Sequence, residues 1–211
     1  MGRFITFEGI EGSGKSTQVG LLADALSKKG IRCIKTREPG GTPLGEKIRE
    51  ILLKTTSPIG PMTELLLYLS ARAEHIRQVI IPALNSGIWV ISDRYCDATL
   101  AYQGFGRGLD IAEISQMNKL VTGGLLPDLT FLLDIPAELG LKRAMERLRQ
   151  KGGSPDRLES ESLEFHRRVR DGYLRIAQME PERIKVIDAL DDEVEIHKKV
   201  MKHIELLISN A

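Results

Sequence analysis

The chain has 211 residues, 42% of them hydrophobic and 28% charged, and 30 Lys and Arg against 29 Asp and Glu leave a formal net charge of +1. That composition fits one globular domain over residues 1–211, and so balanced a charge excludes global attraction for a nucleic acid polymer or an anionic membrane, so any anion must be bound locally. No apolar run approaches the ~18 residues that span a bilayer, no secretory signal opens the chain, and Cys33 and Cys96 lie far apart without metal or redox spacing, so a reduced, cytoplasmic protein is expected.

The first expected strand, Arg3–Glu8, runs into Gly9-Ile10-Glu11-Gly12-Ser13-Gly14-Lys15-Ser16-Thr17. This fits G-x-x-x-x-G-K-[ST], in which backbone N–H groups cradle phosphates, the lysine bridges the terminal ones and the hydroxyl ligates Mg²⁺. Glu11 serves none of these roles and raises the question of what a carboxylate does in an anion site. Val19, Leu22 and Leu26 mark one helical face, stopped at Gly30. A second strand, Arg32–Arg37, opens into Glu38-Pro39-Gly40-Gly41-Thr42.

In the run LLLYLSARAEH, a helix would put Tyr68 and Arg72 at i and i+4 on one face. A ring and a guanidinium fork suit a nucleobase, though a core tyrosine and a solvated arginine would show the same spacing, and His75 is read as a packing or hydrogen-bonding histidine. The third strand, Ile88–Ser92, runs straight into Asp93-Arg94. Donor and acceptor phosphates repel, so phosphoryl transfer needs cations; Arg94 can supply one while Asp93 orients it or joins the Mg²⁺ shell. A plain strand-end salt bridge is the alternative there.

Glycines at 104, 106 and 108 suggest a break over Gln103–Gly108, and Asp110 with Glu113 reads as a capping box. Strand Leu129–Asp134 precedes helices over Ala137–Gln150 and Ser162–Gln178. The segment 143–157 carries Arg143, Arg147, Arg149, Lys151 and Arg157 around Gly152-Gly153 and reads as a basic lid. Strand Ile184–Asp188 and a helix near Glu193–Ile208 complete an α/β pattern: a P-loop NTPase-type, five-stranded parallel sheet flanked by helices on both faces. The chain has no D-x-x-G, and its Asn118-Lys119 pair continues Leu120-Val121 rather than x-Asp. A small kinase therefore fits better than a signalling GTPase.

Together FEGIEGSGKST, TREPGGT, the Tyr68/Arg72 helix, DRYCDATLAYQG, PDLTFLLD and the stretch from GLKRAMERLRQ to DRLE resemble the bacterial thymidylate kinases over nearly the whole chain. The resemblance implies a usually homodimeric, Mg²⁺-dependent enzyme that passes the γ-phosphoryl of ATP to dTMP. It implies that Tyr68 stacks on thymine, that Arg72 donates to its O4, and that Thr99 and Gln103 read the remaining base groups. Tyr102 would pack near the sugar C2′, while Arg37, Arg94 and, as a third contact, Arg49 would grip the acceptor phosphate beside Glu38. Ser16 and Asp93 would hold the metal. Glu11 would face the acceptor's 3′-hydroxyl, directly or through Mg²⁺ or water. The phosphate loop lacks arginine and the lid is basic, as in the bacterial type, which implies that Arg147, Arg149 and Arg157 close over the transferred phosphoryl with Lys15 and Arg94, and that Arg143 lies nearer the adenine. Tyr68, Ala71 and Ser16 depart from commoner family residues, and the lid is somewhat long.

Overall fold

A computed structural model describes residues 2–54 and 57–209 of the chain. Five strands, β1 (Phe4–Glu8), β2 (Cys33–Arg37), β3 (Trp89–Asp93), β4 (Leu129–Asp134) and β5 (Ile184–Asp188), pair in parallel in the order β2-β3-β1-β4-β5. Parallel neighbours need long crossovers, which the helices supply. Alternate side chains of β1 take opposite faces. Ile5 and Phe7 pack with Val19, Leu22 and Leu26 of α1 (Lys15–Lys28), whereas Phe4 packs with Ile76, Ile80 and Leu84 on the other side.

The remaining helices are α2 (Pro43–Lys54), α3 (Pro61–His75), α4 (Ile81–Asn85), α5 (Cys96–Thr99), α6 (Ile111–Thr122), α7 (Ala137–Gln150), α8 (Leu163–Met179) and α9 (Glu193–Ser209). β4, β5 and α7 fall where sequence places them. β1 and β2 start one residue later than expected, and β3 is shifted by one, so that Asp93 still pairs, opposite Phe7 and Arg37. Asp110 accepts the Glu113 N–H at 2.9 Å, as a cap should.

Two helices continue through π-helical turns, and one of them does so where a break was expected. A π-helical turn, Ile76–Ile80, joins α3 to α4, and another, Leu100–Gly106, continues α5 through the glycine-rich stretch. Packing is the reason: a Cβ on Gly106 would come within 2.8 Å of the Phe165 ring, so that glycine lets α8 approach rather than ending a helix. π-turns of this kind are often found at functional sites. The second one carries Tyr102 and Gln103.

The C-terminal ends of β1, β2 and β3 deliver Glu8, Arg37 and Asp93 to one rim of the sheet, the position where open α/β sheets bind ligands.

Candidate active site

Gly9 to Gly14 turn β1 into α1. Gly12 needs to be glycine, because its φ is 70° and a Cβ there would stand 2.0 Å from the Gly140 carbonyl oxygen of α7. The loop is thus packed against the helix that leads into the basic lid segment. Ile10 and Ser13 are buried, and Gly14 precedes the first turn of α1, where Ser16 and Thr17 are exposed. Lys15 is buried, donating to Ile10 O at 2.7 Å and Ser13 Oγ at 3.3 Å. Burial, helped by the Arg94 charge and opposed by Asp93, Glu11 and Glu8, lowers its pKa to about 8. Ser16 Oγ donates to Asp93 Oδ2 at 2.6 Å, so the two oxygen groups proposed from sequence as a metal pair do meet.

Beside the loop lies a cleft of about 230 Å³ reached by Glu11, Arg37, Glu38, Arg49, Tyr68, Arg72, Asp93, Arg94, Thr99, Tyr102, Gln103 and Arg147. With Gly12, Lys15 and Ser16 of the loop, which line it too, fifteen sequence-predicted residues share one cavity. Arg94 is central to it. Its φ of 74° is costly for a residue with a side chain, and Arg94 N–H to Phe7 O at 2.9 Å, Ser92 Oγ to Arg94 O at 2.8 Å and Tyr95 N–H to Glu8 Oε1 at 2.7 Å hold the turn. The guanidinium donates to Gly9 O at 2.7 Å, Glu11 Oε1 at 2.9 Å, the Tyr102 hydroxyl at 3.1 Å and, at 3.2 Å, the hydroxyl of Tyr173 on α8, which itself donates to Glu8 Oε2 at 2.7 Å.

Glu11 points out of the phosphate loop into this cluster. The Tyr102 hydroxyl donates to its Oε1 at 2.6 Å, and His166 Nδ1 stands 3.2 Å from Oε2. Burial alone would raise the Glu11 carboxyl, but His166, Arg94, Lys15 and Tyr102 together hold it well below the usual carboxylate range.

Arg72 is fully buried rather than solvated. It donates to Glu38 Oε2 at 2.7 Å, Asn118 Oδ1 at 2.7 Å and Tyr95 O at 2.9 Å. His75 joins the network between Glu38 Oε1 at 3.0 Å and Thr36 Oγ1 at 2.6 Å, a hydrogen-bonding histidine as read from sequence. Tyr68 is half-buried one turn before Arg72. Thr99 Oγ1 is buried with no partner among the described residues, and Gln103 Nε2 donates to Glu64 Oε1 at 2.6 Å. Arg37, at the exposed end of β2, is engaged by Glu46 at 2.9 Å, and Arg49 of α2 donates to Pro39 O at 3.0 Å rather than standing free on a solvated helix face.

The basic lid segment divides. Arg147 reaches the cleft while pairing with Glu159 at 3.2 Å. Arg149 is exposed outside the cleft, and Arg143 donates to Ala189 O, just past β5, at 2.8 Å. Arg157 does not line the cleft. Its guanidinium is turned to Leu52 O at 2.8 Å and Glu64 Oε2 at 2.6 Å, because the buried Glu64 carboxylate draws it inward. Sequence reading missed Glu64, Asn118, His166, Tyr173 and Gly140. Only Glu64 carried a local signal, the four-residue spacing Glu64, Tyr68, Arg72 along α3.

Comparison with known proteins gives one answer. The family model described as thymidylate kinase matches residues 7–200. A thymidylate kinase of Carboxydothermus hydrogenoformans is 50% identical over 204 residues, 97% of either chain, and one of Geotalea uraniireducens is 54% identical over 190 residues, 89% of either. The crystal structure of thymidylate kinase from Ehrlichia chaffeensis superposes with a TM-score of 0.78 at 38% identity, covering 97% of this chain and 98% of that one.

Proposed function

Because the chain belongs to the thymidylate kinase family, ATP-dependent kinases that phosphorylate dTMP, we propose that its cleft divides that work between a donor end and an acceptor end with Arg94 between them. The loop backbone and Lys15 take the ATP phosphates. Tyr68, Arg72, Thr99 and Gln103 take the base of dTMP, Tyr102 packs on its sugar, and Glu11 receives its 3′-hydroxyl. Arg37, Arg49 and Arg94 hold its phosphate beside Glu38, while Arg147 closes from the lid. Arg94 carries this reading: its one guanidinium touches the phosphate-loop carbonyl of Gly9 and, 2.9 Å away, the Glu11 carboxylate that faces the acceptor cleft. A cation so placed offsets the repulsion of two phosphates and stabilises charge spread over the transferred group.

Ser16 Oγ and the Asp93 carboxylate are hard oxygen groups in contact at the loop, a donor set that fits Mg²⁺. Bound there, the ion would neutralise phosphate charge. Free Cys33 and Cys96 support a reducing, cytoplasmic location. Exposed Leu44 and Ile51 of α2, Met62 and Leu66 of α3 and Leu120 of α6 support a homodimer, since apolar side chains on neighbouring helices suit a second copy of the same face. A monomeric sedimentation coefficient at micromolar concentration would remove that assignment.

The site assignment is tested by ADP release with MgATP and dTMP, dUMP, dCMP or UMP, in the parent and in Arg94→Ala. We expect dTMP to be preferred, and kcat/KM in the variant to fall roughly 10²–10³-fold. Unaltered turnover in Arg94→Ala would reject the bridging role.

A further inference from the structure

Glu64 lies outside the cleft lining yet is completely buried, and four side chains converge on it or beside it. Gln103 Nε2 donates to Oε1 at 2.6 Å, Arg107 donates to Oε1 and Oε2 at 3.3 and 3.2 Å, and Arg157 Nη1 stands 2.6 Å from Oε2. Arg107 in turn pairs with Glu161 at 2.6 Å. Two guanidinium groups on one carboxylate make it an ion-paired group that can only accept.

That has a chemical consequence for Gln103. An amide's oxygen and nitrogen ends have the same shape, and a glutamine free to turn over could present either to a ligand. Against a buried carboxylate it cannot. The NH₂ end must face Glu64, since the reverse would set oxygen against oxygen with no proton between them. Gln103 is 1% exposed, lines the cleft, and has no hydrogen bond to its Oε1 among the described residues. The carbonyl end is therefore the one left for the cleft.

We propose that Glu64 is a specificity-determining positioning residue, which fixes the Gln103 amide so that it offers only an acceptor to the nucleobase. The proposal rests on the reading that Gln103 meets the base. An acceptor there suits a pyrimidine whose ring nitrogen carries a proton, as thymine N3 does, and opposes cytosine, whose N3 is bare. Arg72, its donors fixed by Glu38 and Asn118, presents the complementary polarity two turns further along the same helix. One helix thus sets both polarities, Glu64 from behind and Arg72 directly.

The test compares kcat/KM for dTMP and dCMP, and KM for ATP, in the parent, Glu64→Gln, Gln103→Met and the double variant. Gln at 64 can donate to Gln103 Oε1 and let its amide turn over. We expect Glu64→Gln to lower the dTMP:dCMP ratio at least tenfold with KM for ATP within twofold, and the double variant to be no less selective than Gln103→Met alone. An unchanged ratio in Glu64→Gln overturns the proposal, as does a loss shared equally by both nucleotides, which is the mark of a purely structural role. A ratio unmoved by Gln103→Met overturns it too and rejects base contact by Gln103 as well; a ratio moved by Gln103→Met but not by Glu64→Gln keeps that contact and removes Glu64. Should Glu64→Gln not fold, the parent enzyme decides with dTMP methylated at N3. At least tenfold weaker use supports the acceptor polarity, and equal use overturns it.

Discussion

The two ends of the cleft are built in opposite ways. At the proposed donor end Lys15 leans on Ile10 O and Ser13 Oγ, five and two residues away, while Ser16 reaches along the chain to Asp93. At the proposed acceptor end three groups are held by carboxylates distant in sequence: Arg94 by Glu11 across 83 residues, Arg72 by Glu38 across 34, Gln103 by Glu64 across 39. A polyphosphate is recognised well enough by a ring of N–H groups, which a short glycine-rich loop supplies. A particular base and sugar require donors and acceptors fixed in direction, and buried carboxylates provide the fixing.

The difference predicts which cation the fold depends on. Arg72→Met leaves Glu38 buried with His75 alone, and stranding one partner of a buried pair costs about 3–5 kcal/mol. For a chain of this size that is a fall in Tm of roughly 6–20 °C. Lys15→Met should stay within about 1 kcal/mol of the parent, because burial already disfavours the Lys15 charge. Thermal unfolding of the two variants checks this, and equal losses would erase the contrast.

Kinetics should split the same two ends. Lys15→Met is expected to slow turnover by roughly 10²–10³-fold while dTMP binding holds, since its cation acts on charge that develops in the transition state. Tyr68→Ala is expected to weaken dTMP by about 1–3 kcal/mol, the worth of one base–aromatic stack, with the KM for ATP unmoved. If Tyr68→Ala shifts both nucleotides alike, it supports the cleft wall and does not stack on the base.

The same contrast governs what could be read from sequence. The phosphate loop is contiguous, and β4, β5 and α7 carry apolar patterns strong enough to give their limits to the residue. The π-turn over Leu100–Gly106 was hidden because Gly104 and Gly106 look like breakers until Phe165 and Ile111 are packed against them. Tyr68, Arg72, Tyr102 and Gln103 could be named, and so could Glu11 and Glu38, but not that these carboxylates hold Tyr102 and Arg72, nor that Glu64 holds Gln103. Nothing local distinguishes Asn118, His166 or Tyr173 from ordinary helix residues, since each acts on a partner met only after the sheet is assembled. Arg157 is the converse case: a basic residue beside a glycine turn reads as lid chemistry, and only Glu64, buried on α3, shows which carboxylate it pairs with here.

Titration separates the two ends in one molecule. In the free protein Lys15 has its pKa lowered from 10.5 to about 8, so raising the pH through 8 removes the charge that ATP phosphates require. ATP affinity should weaken by up to about tenfold between pH 8 and 9, or ~1.4 kcal/mol. Stability moves the other way. Between about 8 and 10.5 the unfolded chain holds more protons on this group than the folded one, so the Lys15 contribution to stability rises with pH across that window. Glu11 is held well below the usual carboxylate range, hence remains charged throughout, and the phosphate of dTMP, with a second pKa near 6, is fully ionised above pH 7. The affinity for dTMP should accordingly lack this limb. Calorimetric titration with a non-hydrolysable ATP analogue and with dTMP, at pH 7, 8 and 9, separates the two. A parallel loss for both nucleotides would mean that Lys15 serves the acceptor as much as the donor, and that the division of the cleft is not one of charge.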